Sequence, residues 1–377
     1  MSLRLGGAGW VTPLGSGVPA VWEKLLGGDE AVAETVSSEI HVRTYPAFRV
    51  PPSALAGAPA HPRLRRSSAI SRFAAAAGLS ALEDARVPLD PAAAARTALI
   101  FAVSNGGVVY TKRFYHEVVE AGAQAASPLL FPETVFNAPA SHLAAILGIT
   151  GASYTLVGDG TVGLLALKMA EDLMANPALD RCLVVGAEEA DWLLCDAFHR
   201  WRLLRDAPPV EVFGVHPRGT VLSEGAGAVV VDRTGPTVIE QIDSGGNFRR
   251  QSEAGAQLSE VFQRLSASDA DIVIASANGT FVDQAEISAV LRNCPRAKIY
   301  APKSAMGDSV GAAAIWQVIC AAQALRTRQL PPIPHAGSES QIKPADRRCD
   351  DLSIARALVS CCGMNQQVAG LSLRAAE

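Results

Sequence analysis

Aromatic residues make up only 6% of this 377-residue chain and charged residues only 19%. No apolar run approaches the ~20 residues that a membrane-spanning helix needs, so no span is expected. Cysteine is scarce too. There are seven, an odd count without paired spacing, which excludes a disulfide framework and points to free thiols in a reducing, cytoplasmic setting. The adjacent pair Cys361-Cys362 reads as buried packing at a strand end, and no metal or cofactor is expected. Long basic runs are missing as well. The densest cluster, Arg63-Leu-Arg-Arg66, reads as a solvated face, and a net charge of −4 offers nucleic acid nothing. The opening Met1-Ser-Leu-Arg4 runs at once into glycines, which leaves no signal-peptide core.

What is present is apolar and alternating. Apolar residues reach 49% and mean hydropathy is +0.19, enough for an extensive core. Apolar strands alternate with helices, the pattern of a mostly parallel α/β fold. Candidate strands are Leu3–Gly9, Ala98–Val103, Ser153–Val157, Cys182–Ala187 and Ala228–Asp232. A second series follows: Thr237–Ile242, Asp271–Ser276, Lys298–Ala301, Arg356–Cys361 and Val368–Leu373. Helices are expected over Thr161–Ala175, Gln284–Arg292 and Ser309–Leu325. Pro91–Ala95 reads as a short helical turn with proline first, and Ala54–Pro62 as a surface loop. The turn at Gly235-Pro236 is the best internal boundary, dividing residues 1–235 from 236–377.

Six segments in order carry a resemblance. They are Gly6-Gly-Ala-Gly9 with Trp22 to Gly27; Phe131 to Gly151, with Asn137, Ser141 and His142; and Gly151-Ala-Ser-Tyr-Thr-Leu-Val-Gly-Asp-Gly160-Thr-Val-Gly-Leu164. Then come Ser223-Glu-Gly-Ala-Gly227, Lys303-Ser-Ala-Met-Gly307 with Gly311-Ala-Ala313, and Leu330-Pro-Pro-Ile333. Together they resemble the β-ketoacyl synthases. That resemblance implies a thiolase-like five-layered α/β/α/β/α fold built from two βαβαβαββ halves, with residues 6–15 supplying the opening strand and a Gly-rich turn.

The resemblance also implies a catalytic cysteine and two histidines, and all three columns are altered. Gly160 stands in the cysteine column, where no side chain exists to form a thioester. The first histidine column, in Ala277-Asn278-Gly279-Thr280, holds Asn278, which keeps one donating amide. The second holds Asp308, a carboxylate that repels a developing anion where a donor is needed. None of the seven histidines fills these columns. Lys303 is retained, but the glutamate expected to partner it is Gln317, so the lysine is either a remnant or a new partner for Asp308. In the late loop Cys361 to Val368, Gly363 is kept, Met364 replaces a gating phenylalanine and the paired glycines are lost, which puts the loop path in question. Gly160, Asn278, Lys303 and Asp308 are expected to converge on one pocket. Val108, Val109, Phe136, Tyr154 and Thr155 are expected to line the acyl pocket or the interface.

Three functions fit these residues. One is a non-catalytic subunit of an active ketosynthase, resembling the chain-length factors of type II polyketide or aryl-polyene-like systems, with an acyl carrier protein as further partner. Another is an enzyme of altered chemistry (decarboxylase, hydrolase or condensing acyltransferase) using Asn278, Asp308 or Asp159, although an acidic helix cap is the simpler reading of Asp159. The third is a module that binds an acyl group or its carrier. Thr161 and Cys195 lack any matched base to activate them.

Overall fold

The computed structural model describes residues 2–58, 61–88, 90–337, 341–342 and 344–376. Pro59 and Ala60 of the expected surface loop lie outside these. All ten expected strands form: β1 (Arg4–Thr12), β2 (Thr97–Val103), β3 (Ser153–Val157), β4 (Arg181–Glu188), β5 (Gly225–Asp232), β6 (Thr237–Asn247), β7 (Ile272–Ile274), β8 (Lys298–Tyr300), β9 (Arg356–Cys362) and β10 (Gln367–Ala375). They are Val/Ile/Leu/Ala-rich because most are covered on both faces; every residue of β2 is buried.

The strand order is β8-β7-β9-β10-β6-β1-β5-β4-β2-β3. Outward from the β1–β6 seam, the two halves repeat one plan. The first runs β1-β5-β4-β2-β3 and the second β6-β10-β9-β7-β8. In each, the two inner pairings are antiparallel and the two outer ones parallel. The seam itself pairs Arg4 with Val238 and Leu5 with Thr237. No repeat is visible at the level of residues, so the doubling emerges only in the topology.

Helices fill three layers around these sheets, giving the thiolase-like α/β/α/β/α arrangement. Helices Ala69–Asp84 and Ala138–Leu147 cover the outside of the first half-sheet, and Ala254–Arg264 with Val282–Asn293 the outside of the second. Between the sheets lie Val162–Leu173 and Ala313–Thr327. The latter is buried without interruption from Ala313 to Ala321, as a helix apolar all round must be. It comes so close that a Cβ on Gly227 would stand 2.8 Å from the Trp316 ring.

The opening glycines lie inside β1, as the expected strand Leu3–Gly9 has them, and the strand runs on to Thr12 before turning at Pro13-Leu14. A Cβ on Gly9 would collide with the carbonyl of Ala77, and one on Gly7 would stand 2.5 Å from that of Ala81. The missing side chains therefore let helix Ala69–Asp84 lie directly on the strand. That helix is alanine-rich and weakly periodic, and the pattern of the sequence gave no sign of it. A small sheet of Ala33–Ser37, Thr44–Phe48 and Leu222–Ser223 also lies outside what the sequence predicts. Gly9→Ala is expected to cost about 1–3 kcal/mol through overpacking, read as a lower midpoint in denaturant, while the exposed substitution Gly57→Ala leaves it unchanged.

Candidate functional site

β3 is the terminal strand of its half-sheet. It leaves through Gly158-Asp159-Gly160 into helix Val162–Leu173, with the Gly158 N–H donating to Val103 O (3.0 Å) and the Val162 N–H to Asp159 O (2.9 Å). Gly160 is buried at this elbow. A Cβ there would meet nothing nearer than the Gly363 Cα at 3.6 Å, and its φ lies outside the left-handed range. Space and backbone therefore both admit a side chain at this position.

Asp159 is not the helix cap that the sequence suggests; Thr161 occupies that position without a side-chain cap bond. The Asp159 carboxylate instead ties the elbow to the late loop, accepting from the Asn365 N–H (2.7 Å) and the Thr161 N–H (3.2 Å). Any Cβ on Gly363 would overlap that carboxylate, which accounts for the retained glycine. Burial raises the Asp159 pKa above the usual carboxylate range. The Thr161 hydroxyl donates to Gln367 Oε1 (2.8 Å). Within this loop Gln366 adopts φ 76°, a conformation that favours glycine.

Asn278, Lys303 and Asp308 form one sealed cluster, each no more than 3% exposed. Asp308 Oδ2 accepts from Lys303 Nζ (2.9 Å) and Asn278 Nδ2 (2.8 Å), and Oδ1 from the Val310 N–H (3.0 Å). Lys303 is thus partnered by Asp308, while Gln317 turns its amide to the carbonyls of Ser360 (2.8 Å) and Ile274 (3.3 Å). Burial pushes the Lys303 ammonium toward neutrality, but the charge and hydrogen bond of Asp308 outweigh it and hold its pKa above the ordinary value. The Asn278 amide oxygen accepts from the Thr280 hydroxyl (2.6 Å).

A cleft of about 920 Å³ opens beside the elbow, lined by Asp159, Gly160, Asn105, Val310 and Met364 among others. Of the four positions expected in one pocket, only Gly160 lines it; the other three meet in the cluster, reached from the cleft through Val310. Val108 and Val109 are half-buried at the start of helix Val108–Ala121, which has no fully buried residue. Phe136 is 47% exposed and packs on Gly106. Tyr154 is exposed on β3 and Thr155 half-buried beside Phe101. Cys195 is wholly buried, its thiol pushed up to about 12 by burial.

Residues 5–235 match the family model "Beta-ketoacyl synthase, N-terminal domain", and residues 245–337 match "Beta-ketoacyl synthase, C-terminal domain". The chain belongs to the β-ketoacyl synthase family. It is 24% identical over 358 residues to Nodulation protein E of Rhizobium sp. (strain N33), covering 86% of each chain. It is also 24% identical to 3-oxoacyl-[acyl-carrier-protein] synthase 2 of Vibrio harveyi over 385 residues, covering 93% of each. Among solved structures, "the ishigamide ketosynthase/chain length factor" superposes with a TM-score of 0.88 at 18% identity, over 100% of this chain and 99% of that one.

In this β-ketoacyl synthase relative, the altered columns sit among buried carboxylates that the sequence reading missed. Glu188 ends β4 and accepts from the N–H groups of Ser104 (3.0 Å) and Asn105 (3.2 Å); burial pushes it up to about 8. Asp283 accepts from the N–H groups of Asn278 (2.8 Å), Gly279 (3.0 Å) and Phe213 (2.7 Å); burial pushes it up to about 7. An acid closing an apolar strand, and one five residues beyond Asn278, are the signals that mark them. Both pKa values are raised on folding, so the folded state binds more protons than the unfolded one. Their contribution to stability is full below the ordinary carboxylate range and is lost as pH rises through about 7 to 8. Denaturant titrations from pH 5 to 9 should show stability falling across that window, and Glu188→Gln should reduce the slope.

Proposed function

We propose that this chain is a non-catalytic subunit that pairs with an active ketosynthase and shapes its acyl pocket, in the manner of a chain-length factor, with residues 1–235 and 236–377 as its two halves. One observation carries the reading. The cysteine column is a glycine with room for a side chain, and the donors behind it are bonded to an internal carboxylate. Decarboxylative condensation needs a nucleophile and free donors aimed at the developing anion. This centre offers neither, while the surrounding scaffold is intact. Asp159, the carboxylate on the cleft wall, is held by two backbone N–H groups, which argues against recruiting it as a substitute nucleophile.

The outer surface supports a partner. β3 is a sheet edge with exposed Tyr154 and Val157, and an open edge invites pairing with another chain. Beside it in sequence, Phe131, Val135 and Phe136 are exposed, and helix Val108–Ala121 presents Tyr115 and Val119 to solvent. Apolar surface of this kind suits an obligate interface of about 2,000 Å² or more. Phe136, projecting beside the start of that helix, suits a side chain that limits the partner's acyl tunnel. An acyl carrier protein is the expected further partner, serving the catalytic subunit.

Co-expression with a Cys-His-His ketosynthase of the same genome should yield a 1:1 complex on native mass spectrometry. In that complex Phe136→Ala should lengthen the product while leaving assembly intact. A stable monomer, or a homodimer that ignores every such ketosynthase, contradicts the heterodimer. An unchanged product distribution removes Phe136 as the length gate.

A further inference from the structure

We infer that Asn278, Lys303 and the Val310 N–H form a carboxylate-binding site, and that the chain fills it with its own Asp308 side chain. The site is a place for a small monocarboxylate, closed from within. This rests on the local geometry alone and holds whichever partner the chain takes.

Three donors from separate positions converge on one carboxylate. Lys303 Nζ and Asn278 Nδ2 reach Oδ2 at 2.9 and 2.8 Å, and the Val310 N–H reaches Oδ1 at 3.0 Å. The amide of Asn278 is not free to turn, because its oxygen accepts from both the hydroxyl (2.6 Å) and the N–H (3.2 Å) of Thr280. Its NH₂ is thereby aimed at Asp308. Asp308 itself is pinned by its backbone. Its N–H donates to Val221 O (2.9 Å) and its carbonyl accepts from the Ser223 N–H (3.0 Å). Gly307 before it takes φ 74°, where a Cβ would stand 2.6 Å from the Phe48 ring. The Asn278 amide and the Asp308 backbone are held by partners outside the pair, so removing the carboxylate leaves its donors without their acceptor in a buried cavity. Charge-assisted bonds of this kind are among the stronger ones, and an unpaired buried ammonium is costly. The vacated cavity therefore has reason to take a carboxylate from solution.

The experiment is chemical rescue of Asp308→Gly with sodium formate, read by thermal unfolding against sodium chloride at equal ionic strength. The variant should be destabilised, and formate should raise its Tm saturably by on the order of a few degrees. Wild type, with its site occupied, should show no formate-specific shift, and Lys303→Met/Asp308→Gly should show none either. Equal shifts in all three proteins, or none in Asp308→Gly, overturn the inference. Should Asp308→Gly fail to accumulate, Asp308→Asn gives an independent reading. It should lower Tm, and adding Lys303→Met should recover much of the loss; a neutral Asp308→Asn overturns the inference.

Discussion

A lysine ammonium sealed in a protein interior must find an opposite charge or give up its proton, because desolvation otherwise costs several kcal/mol. The Lys303 side chain is only 4% exposed, and the organisation of this centre follows from that requirement. The glutamate that the family resemblance places opposite the lysine is Gln317, whose neutral amide bridges two main-chain carbonyls. Asp308 takes over as counter-charge. The two substitutions make physical sense together: a glutamine at 317 leaves the lysine unpaired, and an aspartate at 308 pairs it again. Asp308 thus serves as the ion-pair partner of the buried lysine.

The consequences spread along the elbow. Asp308 takes up the amide of Asn278 and the N–H of Val310, so the donors behind the cleft face inward to an internal anion. A second carboxylate, Asp159, fastens the elbow to the loop after β9, and Gly363 is kept because that carboxylate leaves no room for a Cβ. Two acids therefore knit together a region that in a condensing enzyme has to receive an acyl chain and stabilise negative charge. The structure has the elbow, the layers and the edge strand, and the polar side chains at this centre are bonded to one another.

Much of this was legible in the sequence. Uninterrupted apolar runs such as Ala98–Val103 and Ala226–Val231 announce buried strands, and all ten main strands follow. The strand-to-helix elbow expected around Gly160 forms, and Asn278, Lys303 and Asp308 meet in one cluster. Helix Ala69–Asp84 was not expected because alanines fill much of its buried face between Ile70, Phe73 and Leu82, which weakens the apolar pattern. The Asp159 tie was illegible because its partner, the Asn365 N–H, lies 206 residues away. Glu188 and Asp283 are marked only by their positions, an acid closing an apolar strand and one five residues past Asn278, because their backbone-amide partners carry no sequence pattern of their own.

The central claim, that this centre holds no thioester chemistry, is tested most directly by intact-mass measurement after incubation with acyl-carrier-protein thioesters. The account predicts an unmodified chain, both for wild type and alone or in complex. It also predicts that Gly160→Cys, which the elbow has room for, does not by itself give a condensation product, because the donors remain committed to Asp308. A stoichiometric acyl adduct on the wild-type chain, mapped to Asp159, Thr161 or Cys195, would contradict it.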